Sequence, residues 1–159
     1  MTAVVVGVDG SENSRAALRL AAQEARWRQA SLVAVTAYEP PIGTPTGGFP
    51  AASLHTADEE RATAESELRD TVNHELGDQA GQTDLRVAAG LAGRVIIEAA
   101  RQTEAELIVL AASPGKSMLP GTVSQYVLLK AECPVMIVPS DHKDAEKKRP
   151  ERTTGESPA

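Results

Sequence analysis

The sequence predicts an α/β fold, a three-layer sandwich in which a parallel sheet lies between helices on its two faces. Three observations carry this. Short, β-branched, uninterrupted apolar runs recur along the chain, as at "AVVVGV" (3–8) and "ELIVLAA" (106–112), and such runs mark strands buried on both faces. Between them lie longer segments whose apolar residues return every three or four positions, the period of a helix that covers one side. The two kinds alternate in order, which makes each strand–helix–strand unit a parallel crossover.

The elements follow in sequence. After the first run, "DGSENS" has the chemistry of a turn and an N-cap, and "RAALRLAAQEARWRQA" (15–30) is a helix with Leu18, Ala21, Ala22 and Ala25 on one face. "SLVAVTAY" (31–38) returns as a second strand. Residues 39–55, "EPPIGTPTGGFPAASLH", carry four prolines and three glycines and read as a long surface loop. Loops of that length without structure of their own are usually functional lids or mobile segments. "TADEERATAESELRDTVNHELG" is a charged helix with the stripe Ala64, Leu68, Val72, Leu76 and a stop at Gly77. A third strand at "DLRVAA" (84–89), a helix at "GRVIIEAARQTEA" (93–105) and the strand at 106–112 come next. After a loop, "TVSQYVLLKAE" (122–132) is a short helix and "PVMIVP" (134–139) the last strand. These form one domain over residues 1–139. The final stretch, 140–159, has almost no apolar content and balances five basic against five acidic residues, so it reads as a disordered tail.

Composition excludes several functions. The chain of 159 residues carries a net charge of −6 and is 3% aromatic. It therefore has neither the positive field nor the stacking surfaces of a nucleic-acid binder. No apolar run approaches the ~20 residues of a membrane span. The opening "MTAVVVGVDGS" lacks the basic flank and cleavage pattern of a secretory signal, so the expected location is the cytoplasm. The single cysteine, Cys133, rules out an internal disulfide framework and reads as a small buried hydrophobe before Pro134. His55, His74 and His142 have no metal-ligand spacing. No G-x-S-x-G elbow is present for a serine hydrolase. A phospho-acceptor receiver needs clustered acids where this chain has Asp9 alone.

In open parallel sheets the ligand crevice lies beyond the carboxyl ends of the strands, where strand order reverses. Two segments have suitable chemistry there: "GVDGS", and "LAASPGKSMLPGTVSQ" (110–125). Asp9 either accepts from ribose hydroxyls or an adenine amine, or caps the first helix; the two roles are compatible. Gly10 permits the sharp turn. Gly115 and Gly121 bracket "KSMLP", and Thr122 and Ser124 open a helix whose free N–H groups favour a phosphate. The alternative is that Gly121 ends a loop and Thr122 caps a helix with nothing bound. "GKS" (115–117) is not a Walker A loop, because Leu110 stands where its first glycine belongs and Met118–Leu119–Pro120 interrupts the following helix.

"VVVGVDGSENSRAAL", "ELIVLAAS" and "GTVSQYVLLKAECPVMIV" together resemble the universal stress protein family, over about residues 3 to 138. The resemblance implies a Rossmann-like sheet of the adenine nucleotide alpha hydrolase type, with five parallel strands in the order 3-2-1-4-5. It also implies a stress-response protein without enzymatic activity, a homodimer joined through the last strand (Pro134 to Val138), and a bound adenine nucleotide. ATP-binding members carry G-x-x-G, nine residues, then G-S/T. Carried over, Gly7, Val8 and Asp9 sit by the adenosine, Ala37 contacts adenine, and Gly121, Thr122, Val123 and Ser124 hold phosphate. The glycine pair departs from the pattern. It falls either on Ala112 and Gly115 or on Ala111 and Pro114, and the loop is three or four residues short. An alanine adds a methyl where phosphate approaches, and a proline removes an N–H. The expectation is an intact adenosine half and a weakened triphosphate half: ATP or AMP as ligand, with AMP favoured and Mg only with ATP. The rival expectation is a protein-interaction module of the same fold that binds no nucleotide.

Overall fold

A computed structural model describes residues 1–40, 56–112 and 121–140. The expectations for the loop at 39–55, for Gly115 and its neighbours, and for the tail fall outside these residues, apart from Glu39, Pro40 and Ser140.

The strands are β1 (Ala3–Gly7), β2 (Ser31–Tyr38), β3 (Thr83–Ala89), β4 (Ala105–Ala111) and β5 (Val135–Val138), and the helices are α1 (Glu12–Arg28), α2 (Ala57–Leu76), α3 (Ala92–Gln102) and α4 (Thr122–Lys130). The sheet runs β3-β2-β1-β4-β5, and every neighbouring pair is parallel. Val4, Val5 and Val6 of β1 are all fully buried, which is why that strand reads as apolar without alternation. Successive side chains still point to opposite faces. Val4, Val6 and Val8 pack with Leu18, Ala21 and Ala25 of α1 and Leu68 and Val72 of α2. Val5 joins Val33, Val35, Ile96, Ile97 and Ile108 in the second core, under α3 and α4. Strand order reverses between β1 and β4, as the doubly wound topology requires.

Local capping sets the helix bounds. α1 starts at Glu12 rather than Arg15, because the Ser11 hydroxyl accepts from the Ser14 amide at 3.2 Å. α2 opens on a capping box: Thr56 Oγ1 accepts from the Glu59 amide at 3.2 Å, and Glu59 Oε2 accepts from the Thr56 amide at 2.7 Å. It closes at Gly77, as expected, with φ 53°. A short 3₁₀ stretch, Gly77–Gln82, then leads into β3 and was not foreseen from the sequence. α3 ends at Gln102 instead of Ala105, because Thr103 donates its hydroxyl to the Ala99 carbonyl at 2.7 Å and Glu104 turns left-handed (φ 49°). Ala105 is thereby released to begin β4 beside Ala3. Among the described residues no helix is long and apolar enough to cross a membrane.

Candidate functional site at the carboxyl ends of the strands

The end of β1 is tied down by its neighbour. The Val8 amide donates to the Val35 carbonyl at 2.8 Å, and Thr36 Oγ1 donates to the Val8 carbonyl at 2.7 Å. The chain then turns through Gly10, whose φ of +81° is a conformation L side chains rarely adopt. Asp9 holds that turn. Its Oδ1 accepts from the Ser11 amide at 2.9 Å and from the Ser11 hydroxyl at 2.6 Å. The cap of α1 thus belongs to Ser11, and Asp9 orients it.

These bonds affect the charge of Asp9. Partial burial alone raises its pKa, but the hydrogen bonds from the Ser11 hydroxyl and amide and from Ser14 outweigh it, and the carboxyl sits below its ordinary value. A carboxyl that is more acidic folded than unfolded stabilises the fold above its unfolded pKa of about 3.9 and loses that contribution as pH falls through the folded value. Asp9→Asn is therefore expected to be less stable than the parent at pH 7, with the difference shrinking as pH falls below about 4 toward the folded value. Urea midpoints measured between pH 7 and pH 3 check this; a constant difference would show that the carboxylate charge plays no part.

A cavity of about 130 Å³ opens where β1, β2 and β4 end. Gly7, Val8, Asp9, Ala37, Ala111, Val123 and Ser124 all line it, so most of the sequence-predicted residues converge on one place. Ser14, Val35, Ala92, Ile96 and Leu110 complete the wall. Gly7 is small for a packing reason: a Cβ there would lie 2.9 Å from Ile96 Cδ1 and 3.1 Å from Leu110 Cδ2. Three predicted residues do not line the cavity. The Ala112 amide donates to the Val138 carbonyl at 2.8 Å and extends the β4–β5 pairing. Gly121, not Thr122, occupies the N-cap of α4, and no side chain caps that helix. Thr122 is its exposed first residue. The N–H groups of the first turn are thus left without a side-chain acceptor.

The lining is mainly apolar, and Asp9 is its one ionisable side chain among the described residues. No lysine or arginine among them faces the cavity. No group of three or more His, Cys, Asp or Glu gathers to hold a metal among the described residues. Cys133 lies elsewhere, half-buried against the second core, and burial, followed by the nearby Glu132 charge, pushes its thiol up. That favours the inert thiol over the reactive thiolate.

A profile of the universal stress protein family matches residues 1–139. The chain belongs to the universal stress protein family. Solved structures of other universal stress proteins have the same fold. One, in complex with cAMP, is 26% identical with a TM-score of 0.64, over 86% of this chain and 95% of that one. Universal stress protein UspA from Lactobacillus plantarum is 25% identical with a TM-score of 0.65, over 86% and 97%. A universal stress protein from Archaeoglobus fulgidus is 26% identical with a TM-score of 0.56, over 86% and 93%. Among curated proteins none matches. In this universal stress protein, two of the residues that wall the cavity most closely, Ile96 and Leu110, gave no motif-like signal. Ile96 reads as one more apolar residue in the α3 stripe, and Leu110 as one more in β4.

Proposed function

We propose that this universal stress protein is a non-enzymatic, cytoplasmic stress-response protein that binds an adenine nucleotide at the carboxyl ends of β1 and β4. The observation that carries the reading is the convergence of Gly7, Val8, Asp9, Ala37, Val123 and Ser124 on one cavity. The similar universal stress protein in complex with cAMP supports it. The adenosine half enters first: an apolar slot takes the base, and Asp9 accepts from a ligand hydroxyl or amine. Phosphate lies outward, toward the uncapped start of α4, where Gly121, Thr122 and Val123 offer N–H groups. With Asp9 the one charge lining the slot among the described residues, each added phosphate gains little, so AMP binds as well as ATP or better. Mg²⁺ enters only with ATP.

The chain acts as a homodimer through Pro134 to Val138. β5 is the edge of the sheet, its residues are half-buried, and an apolar edge is normally covered or paired. Sedimentation of the full chain at twice its 16.7 kDa mass is the expected result.

Isothermal titration of the full chain with ATP, ADP and AMP tests the ligand. Affinity for AMP at least equal to that for ATP, and indifferent to magnesium, is expected; ATP bound more tightly, and only with magnesium, would overturn the assignment. A second reading has one observation in its favour. The cavity of about 130 Å³ is below the ~300 Å³ at which ligand sites usually begin. A protein-interaction module of this fold would show no thermal shift with any adenine nucleotide.

A further inference from the structure

The sheet has two edges, β5 and β3. β3 pairs with β2 alone, in continuous register up to Ala89. The Gly90 amide donates to the Tyr38 carbonyl at 3.0 Å. Backbone groups alternate in direction along a strand, so those of Ala88 and Arg86 also face β2. The N–H and C=O groups of Leu85, Val87 and Ala89 therefore point away from the sheet. Such a row is a template for another strand, and proteins usually guard it with a proline, a bulge or a covering element. β3 contains no proline and no bulge, and among the described residues no further strand pairs with it.

The two faces beside this edge differ. Leu85 and Val87 pack into the core shared with α1 and α2. On the other face α3 packs over Val5, Val33 and Val35 of β1 and β2, and a groove of about 450 Å³ remains between α3 and β3. Ala88, Val95 and Ala99 line it, together with Arg94 and with Leu91, which is 70% exposed. Charges on an edge normally repel an incoming strand, but most of those here are tied back. Arg86 Nε donates to Asp84 Oδ2 at 2.9 Å and Arg86 Nη1 donates to Gln102 Oε1 at 3.1 Å. Gln102 Nε2 in turn donates to Glu98 Oε1 at 2.8 Å. Arg94 is thus the one charged side chain of the groove with neither an ion pair nor a hydrogen bond among the described residues.

We propose that this edge takes up an extended segment of a partner protein. The segment pairs through its backbone with Leu85, Val87 and Ala89, sets apolar side chains in the groove and places a carboxylate against Arg94. The free backbone row defines the mode of binding, the apolar lining defines the alternate side chains, and the unpaired guanidinium defines the acid. A second copy of the chain fits less well. With β5 taken for the homodimer, self-pairing at β3 as well would extend the sheet from both edges without closing.

The test is selection of short random peptides, displayed on phage, against the immobilised full chain, followed by fluorescence polarisation of the enriched peptides on the parent, Ala89→Pro and Arg94→Glu. Ala89→Pro removes one outward N–H and no bond to β2, and Arg94 is exposed on α3. The enriched peptides are expected to alternate apolar residues around an acid and to bind each variant about tenfold more weakly, the worth of one good hydrogen bond. Circular dichroism checks that both variants fold. Peptides N-methylated at alternate amides ask the same question of the parent, and only one of the two methylation frames should still bind. No enrichment over a blank surface sinks the proposal, as do peptides that tolerate both frames or bind Ala89→Pro as tightly as the parent. Indifference to Arg94→Glu removes the acidic partner, and the proposal falls with it. Assemblies larger than a dimer that Ala89→Pro dissolves would give the edge to a second copy instead.

Discussion

Leu18→Ala is expected to cost about 2–5 kcal/mol of stability, the usual range for a large aliphatic side chain cut back in a closed core. Leu18 is fully buried on the inner face of α1 and belongs to the cluster formed with β1, β4 and α2. Its neighbours there are largely alanines and valines, whose short side chains cannot extend into the space it would vacate. The cavity term should therefore add fully to the lost transfer energy, which places the effect in the upper half of the range. Against a total of about 5–15 kcal/mol for a domain of ordinary stability, this is about a quarter or more. Urea denaturation should show a lower midpoint with an unchanged slope, since the native fold and the surface exposed on unfolding stay the same. A loss below about 1 kcal/mol would mean that α1 does not seal the sheet through Leu18.

Gly7→Val is expected to abolish the site while leaving most of the fold. The added Cβ alone meets Ile96 Cδ1 at 2.9 Å and Leu110 Cδ2 at 3.1 Å, and two further methyls then enter a cavity of only about 130 Å³. The stability cost is held to about 1–3 kcal/mol, because the clashing atoms are the ends of side chains and valine suits a strand. Affinity for adenosine or AMP should fall more than about tenfold, a loss above ~1.4 kcal/mol. Far-UV circular dichroism separates loss of binding from loss of folding. The double variant Gly7→Val with Ile96→Ala returns room to the slot and should recover part of the affinity. Binding unchanged in Gly7→Val would place the ligand somewhere other than between β1 and α3.

The fold was legible because each strand carries its own evidence. A run such as Val4–Val5–Val6 is apolar at every position since both faces of the sheet are covered, and no other residues are needed to read it. Helix bounds were less legible. Arg15 opens the amphipathic pattern of α1, but the helix itself begins at Glu12, where Ser11 supplies a cap whose use depends on Asp9. At the other extreme, Gly77 was recognised as a stop because a helix end in positive φ is a local demand of the backbone.

The site was half legible. Residues beside a strand end or a helix start, such as Asp9, Ala37 and Ser124, could be placed by their neighbours in sequence, and they do share a cavity. Gly121 and Thr122 share the same segment of sequence but do not line it. The family resemblance set Gly7 beside the adenosine, and the closest atoms to its missing side chain belong to Ile96 and Leu110. Those two come from β4 and α3, remote in sequence, and nothing near Gly7 announces them.

Apolar periodicity and capping chemistry act over a few residues, and so the chain alone determined its strands, its helices and their alternation into a parallel sheet. The register that brings Ile96 over Gly7, and the bonds that tie the Ser14 hydroxyl to Ser11 and Asp9, were decided only in three dimensions. Ser14 and Ser124 each stand in the opening turn of a helix, and nothing adjacent in sequence announces that both line one cavity. Whether a buried hydroxyl is satisfied depends on which distant atoms come within about 3 Å of it, and that is a property of packing.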